Sequence, residues 1–187
     1  MELKEAILKR RSIRRFTDYL VTDDEIKEMI EAARWAPSWA NTQSWEFIVV
    51  RDKKIIEDVT ATYSEKNPAT KCSNSASVLI VACAKKDISG YKKEEKKTKF
   101  SDWFMFDLGM AVQNLLLRAH ELGLGSVVVG LLDHDACRKV LGVPDEYEVA
   151  VVVPIGRPDV EGKEGPPRKD LKEFVHLDNF DRTFDVM

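Results

Sequence analysis

Histidine, patterned cysteine and long apolar runs are scarce in this chain, and each shortage removes a class of chemistry. The three histidines (His120, His134, His176) stand far apart with no HxxxH or HxxE spacing, which argues against a metal site. Three irregularly spaced cysteines (Cys72, Cys83, Cys137) form neither a disulfide framework nor a CxxC knuckle. Cys83 lies in an apolar run and reads as a small buried hydrophobe. There is no GxSxG elbow and no Walker lysine. Gly123-Leu124-Gly125 supplies only two glycines of the dinucleotide fingerprint and follows a helix rather than a strand. No apolar run reaches the roughly 18 residues of a membrane span, and MELKEAILKRR has no signal-peptide core, so a cytoplasmic location is expected. A net charge of −3 opposes general nucleic-acid binding. Without repeats or an internal boundary, residues 1–187 are expected to form a single domain with a full hydrophobic core.

What is present begins with Lys9 to Phe16, KRRSIRRF, where Arg10, Arg11, Arg14 and Arg15 surround Ser12 and Ile13. Like charges this dense need an anion or open solvent. Arg10 and Arg14 would share a face if the N-terminal helix, expected over 2–10, continued through them. Guanidinium groups bind phosphate by bidentate, charge-assisted hydrogen bonds. On these residues alone, a bound phosphate, a solvated patch and a nucleic-acid-facing patch all stay open.

Thr22 and Glu25 form a capping box ahead of the apolar face Ile26, Met29, Ile30 and Ala33, and Pro37 requires that helix to stop by Ala36. A polar loop with two tryptophans, 38–45, precedes a strand at 47–50. A helix is expected over 53–63, a central strand at 78–84 and a solvated charged insertion at 91–99. Residues 104–122 carry the longest helical pattern, ended by Gly123 and Gly125. Strands at 126–129 and 149–155 flank a short helix capped by Asp133, and a Gly/Pro-rich loop runs from Gly162 to Pro167. His120 reads as a packing or capping residue. An anion site without an obvious acid, base or nucleophile suits a cofactor whose own ring does the chemistry.

Arg10-Arg11-Ser12-Ile13-Arg14, followed after a capped helix by Ala36-Pro37-Ser38-Trp39-Ala40-Asn41-Thr42-Gln43, resembles the nitroreductase family of FMN-dependent oxidoreductases. The match continues through Gly123-Leu124-Gly125-Ser126, Gly130, Gly156-Arg157-Pro158 and Arg168-Lys169, covering nearly the whole chain. The resemblance implies an α+β fold: a three-layer α/β/α sandwich whose mixed, mostly antiparallel sheet is flanked by helices, in an intertwined homodimer. It implies that Arg10, Arg11, Ser12 and Arg168 hold the phosphate end of FMN, with Arg14 at the pyrimidine edge. A positive charge there would stabilise the negative charge that reduction leaves on the N1–C2=O side. Pro37, Ser38, Trp39 and Asn41 would meet the flavin across the dimer interface, and the backbone at Gly130 and Leu131 would approach the ring near N5. Arg15 is expected as a surface or interface charge.

The activity implied is hydride transfer from NADH or NADPH through FMN to nitroaromatics, quinones or similar small acceptors, with ping-pong kinetics and no catalytic side chain. Two positions depart from the family pattern. Trp39 stands where many members have a second serine, and either lines the substrate pocket or anchors the interface. Ser44 replaces a proline. Trp103 and Phe104 are candidate pocket residues, with ordinary helix packing as the other reading. Reductive dehalogenation or flavin breakdown on the same fold is one alternative, and a non-catalytic flavin-binding protein is another.

Overall fold

The computed structural model describes residues 1–159 and 165–184. Of the Gly162–Pro167 loop, residues 162–164 lie outside this range. Helix α1 (Leu3–Lys9) forms as its spacing predicts, but only Ala6 is buried, while Leu3, Ile7 and Leu8 are exposed. Its apolar stripe has no cover among the described residues. Helix α2 (Asp23–Arg34) begins at the expected capping box: Thr22 Oγ1 accepts from the Glu25 amide at 3.2 Å, and Glu25 Oε2 accepts from the Thr22 amide at 2.8 Å. Strand β1 (Trp45–Val50), helix α3 (Lys53–Thr60), helix α4 (Thr70–Ser75) and strand β2 (Val78–Lys85) follow. The short strands β3 (Tyr91–Lys92) and β4 (Glu95–Lys96) make an exposed hairpin inside the charged insertion. Helix α5 (Phe104–Glu121), strand β5 (Gly125–Ser126), helix α6 (His134–Val140) and strand β6 (Tyr147–Gly156) complete the main body.

The sheet has the order β1-β2-β6-β5 with antiparallel pairing throughout, and one parallel bridge joins Ser12 to Ser126. Register runs from Trp45 opposite Ala84 to Val50 opposite Leu79, and from Val78 opposite Ile155 to Lys85 opposite Tyr147 with a bulge at Ala82–Cys83. Alternate residues of β2 enter different cores. Val78, Ile80, Ala82 and Ala84 pack under α2 and α5, whereas Leu79, Val81 and Cys83 pack with residues of α3, α4 and α6. Two covered faces explain why the run 78–84 is apolar without alternation. All three cysteines are free and buried.

Helix α5 presents Phe104, Leu108, Ala111, Val112, Leu115, Leu116 and Ala119 to the sheet and α2, the stripe that a half-covered helix requires. It ends in a Schellman turn: Leu124 N–H reaches Ala119 O at 2.8 Å, Gly123 N–H reaches His120 O at 3.0 Å, and Gly123 has φ +75°. Gly123 alone therefore stops the helix. Gly125 has a different task, since a Cβ there would sit 2.8 Å from the Ile13 side chain. The strand expected over 126–129 is shorter, Gly125–Ser126, with a separate bridge from Val129 to Val152. Among the described residues no helix is long and apolar enough to cross a membrane.

Candidate functional site

The arginine segment leaves α1 at Lys9 and does not continue as a helix, so Arg10 and Arg14 do not share a helical face. Long-range pairing overrides the local helical pattern. Ile13 N–H donates to Ser126 O at 2.9 Å, Thr17 N–H to Arg157 O at 2.9 Å, and Asp159 N–H to Arg15 O at 3.1 Å. Two glycines make the close approach feasible: Gly125 lies against Ile13, and a Cβ at Gly156 would come 2.8 Å from Phe16 Cγ. The segment is thus a strap laid across the sheet's β5 edge.

Arg11 Nη1 donates to the Leu8 and Arg10 carbonyls at 2.6 and 2.9 Å, satisfying the exposed end of α1. Its Nε is buried without a hydrogen-bond acceptor among the described residues. Gly165 passes so close that a Cβ would stand 2.7 Å from that Nε, which brings the stretch carrying Arg168 alongside. Burial first, then the charges of Arg11 and Arg168, pull the Arg10 guanidinium below its ordinary range. His120, on the last turn of α5, faces the same cluster. Burial and then Arg10 hold its imidazole below the usual range, and its Nε2 is buried without a partner among the described residues.

The charges of Arg11 and Arg168 thus both bear on Arg10, and an acceptor-only dianion such as phosphate suits the donors offered. Ser12 is exposed beside them. Arg14 is exposed, and its charge reaches the Cys72 thiol, which burial nevertheless raises. Arg15 is committed elsewhere, to Asp159 at 2.6 Å on the surface.

Gly130 and Leu131 follow the Val129 bridge. The Leu131 carbonyl accepts from Ser64 N–H at 3.2 Å and Asn67 Nδ2 at 2.9 Å, while its side chain is 66% exposed. Gly130 has no positive φ, and an added Cβ would make only an ordinary contact, 3.7 Å from Val151. Nothing among the described residues calls for glycine there, as would be the case if a flat ligand lay against the backbone.

Pro37, Ser38, Trp39 and Asn41 lie between α2 and β1 in a loop with Ala40, Asn41 and Gln43 at φ 47°, 57° and 47°. Such left-handed conformations cost roughly 1–2 kcal/mol each for residues with a Cβ, less for asparagine. Ser38 Oγ holds the Gln43 amide at 2.9 Å, and the Asp107 carboxylate holds the Trp39 amide at 3.1 Å through both oxygens. Pro37 lines a groove with Met105, Phe106, Gly109 and Met110 at the start of α5. Trp103 caps that helix half-exposed, its ring 5.7 Å from that of Phe106, whereas Phe104 is 5% exposed and packs in the core.

One chain does not bring this loop onto the arginines. Asp107 anchors the loop near one end of α5 and His120 faces the arginines near the other, about 20 Å apart along the axis. Asp107 and Gly165 are the site-supporting residues that sequence patterns did not single out. A carboxylate on the apolar stripe, between Phe104 and Leu108, is the signal that points to the first.

The sequence profile of the nitroreductase family matches residues 7–157. The chain is 34% identical over 184 residues to a candidate NADH dehydrogenase/NAD(P)H nitroreductase of Archaeoglobus fulgidus, covering 95% of this chain and 92% of that one. It is 27% identical over 200 residues to an FMN reductase (NADPH) of Bacillus subtilis, covering 97% and 75% of the two. An FMN-dependent nitroreductase of Clostridium difficile superposes with TM-score 0.79 at 28% identity, covering 95% of this chain and 100% of that one. By profile, sequence and fold together, the chain belongs to the nitroreductase family.

Proposed function

We propose that residues 1–187 form one FMN-binding domain in which Arg10, Arg11, Ser12 and Arg168 hold the cofactor's phosphate end. The protein is an FMN-dependent NAD(P)H oxidoreductase, in keeping with the activities named for its relatives. When bound, FMN supplies the hydride acceptor for NADH or NADPH and the electron donor for a small nitroaromatic or quinone. The site would admit donor and acceptor in turn, which predicts ping-pong kinetics. The Arg11 Nε, buried against Gly165 without an acceptor among the described residues, together with the charges of Arg11 and Arg168 bearing on Arg10, carries this reading.

The side chains bind, orient and exclude. A dianion relieves the mutual repulsion that weakens Arg10's hold on its proton, and charge-assisted bonds of about 1.5–3 kcal/mol each retain it. Arg14, free of an ion pair among the described residues, stands at the pyrimidine edge and favours the reduced ring. Backbone at Gly130 and Leu131 lies beside the ring. Pro37, Ser38, Trp39 and Asn41 come from a second copy of the chain, and Trp39 with Trp103 limits acceptor size.

The test is flavin retention. Purified protein should be yellow and bleach on addition of NADH under nitrogen. Arg10→Ala or Arg168→Ala should weaken FMN binding about 10- to 100-fold, the loss of one charge-assisted bond. Binding of riboflavin, which has no phosphate, should change little. Equal affinity of the wild type for FMN and riboflavin would refute the phosphate assignment.

A further inference from the structure

Asp107 is 1% exposed in the middle of an apolar helix face, and the chemistry above gives it no role. Burying a carboxylate costs several kcal/mol unless strong donors meet it. No cation pairs with it among the described residues. Its donors are the Trp39 amide, shared by both oxygens at 3.1 Å, and the buried Ser89 hydroxyl on Oδ2. Leucine at this position would fit the helix stripe at lower cost, so the carboxylate serves its two donors.

Those donors belong to separate loops. Trp39 opens the left-handed turn Ala40–Asn41, whose conformation persists only if something outside it fixes its start. Ser89 precedes Gly90, which has φ +85° and lies so close to Trp103 that a Cβ would meet the Trp103 Cβ at 3.0 Å. Immediately beyond Gly90 begins the β3–β4 hairpin. One carboxylate therefore ties the Trp39 turn to the base of the hairpin, and Trp103 lies one helical turn before Asp107.

We propose that Asp107 is a positioning residue for acceptor selection. It fixes the separation of Trp39 and Trp103, and through Ser89 it makes the Trp39 turn and the hairpin move as a unit. The proposal rests on the reading of Trp39 as part of an FMN site, but the phosphate cradle lies at the opposite end of α5 and does not depend on it. Asp107→Asn keeps the shape but puts an NH2 donor where one oxygen accepts from the Trp39 amide and leaves only a neutral carbonyl as acceptor, so the bonds to both donors weaken. Ser89→Ala removes one donor and leaves the carboxylate in place.

Flavin content and steady-state kinetics per bound flavin, with a small benzoquinone and a bulky naphthoquinone, test this on the holoprotein. Asp107→Asn should keep the wild-type preference for FMN over riboflavin within about twofold, because the phosphate cradle is untouched, while the ratio of kcat/KM per bound flavin for the two quinones shifts about tenfold, chiefly in KM. Ser89→Ala should shift it about threefold in the same direction. The Trp39 amide proton, now in a charge-assisted bond, should move upfield in the nitrogen-15 correlation spectrum of Asp107→Asn. A lower melting temperature with an unchanged quinone ratio would assign Asp107 to stability alone and overturn the proposal. If Asp107→Asn does not fold, an unchanged ratio in Ser89→Ala overturns it equally. Absence of flavin from the wild type would instead refute the function above, so the two failures are separable.

Discussion

Arg11 donates two hydrogen bonds at the end of α1 and has one buried N–H without an acceptor among the described residues. His120, behind it, is the titratable reporter of an anion bound there. Its folded pKa is held below the ordinary 6.5 by burial and by Arg10, with smaller contributions from Lys9 and Arg11, and Glu5 opposes them. A base whose folded pKa is depressed binds fewer protons folded than unfolded. Stability is thus complete above the unfolded pKa and falls as the pH drops through 6.5 towards the folded value. Flavin-free protein should lose denaturant resistance between about pH 8 and pH 5, and His120→Gln should flatten that slope. A bound phosphate beside the ring should flatten it as well, because the anion favours the imidazolium. An identical slope in His120→Gln would show that the dependence arises elsewhere.

At the scale of elements, the strap over residues 10–16 decides where the arginines point. Its fit depends on two glycines that contact Ile13 and Phe16, together with the backbone bonds to Ser126, Arg157 and Asp159. Gly125→Ala should therefore destabilise the fold by about 1–3 kcal/mol through overpacking and weaken FMN retention with every arginine intact. Trimming Ile13 to alanine in the same chain should restore part of both, because the clash is with that side chain; additive losses in denaturation and flavin titration would contradict the strap. Much of the frame was legible because its signals are local. The Thr22–Glu25 box, the apolar run 78–84, the Gly123 stop and the Asp133 cap each appear at the expected place. The strap was not legible, because no residue from Lys9 to Arg14 is a helix breaker and the pairing with Ser126, over a hundred residues away, leaves no local mark. Gly125 resembled a second helix stop for the same reason: its true constraint is a distant side chain. Asp107 stayed hidden because a single acid among Phe104, Leu108 and Ala111 reads as tolerated polarity until Trp39 and Ser89 are seen to meet it.

Across the whole molecule, the apolar surface left open is concentrated on α1 (Leu3, Ile7, Leu8), on the start of α5 (Met105, Phe106) and on the C-terminal segment (Phe174, Phe180). Gly109, exposed between Met105 and Met110, has nothing within 4 Å of a would-be Cβ, yet glycine costs a helix interior roughly 1 kcal/mol relative to alanine. A second chain packed against this groove would account for both the exposure and the missing side chain. It would also solve the separation of the site's two halves at opposite ends of α5, because a dimer can bring one chain's Trp39 turn to the other chain's arginines. Mixed dimers decide whether it does so. Combine a chain carrying Arg10→Ala with one carrying Asn41→Ala, each of which should hold flavin poorly as a homodimer. If cradle and turn come from different chains, one site of the mixed dimer has both defects and the other has neither. Limiting FMN should then fill one site per mixed dimer with wild-type affinity. If each chain completes its own site, both sites carry one defect, and no high-affinity fraction appears in the titration.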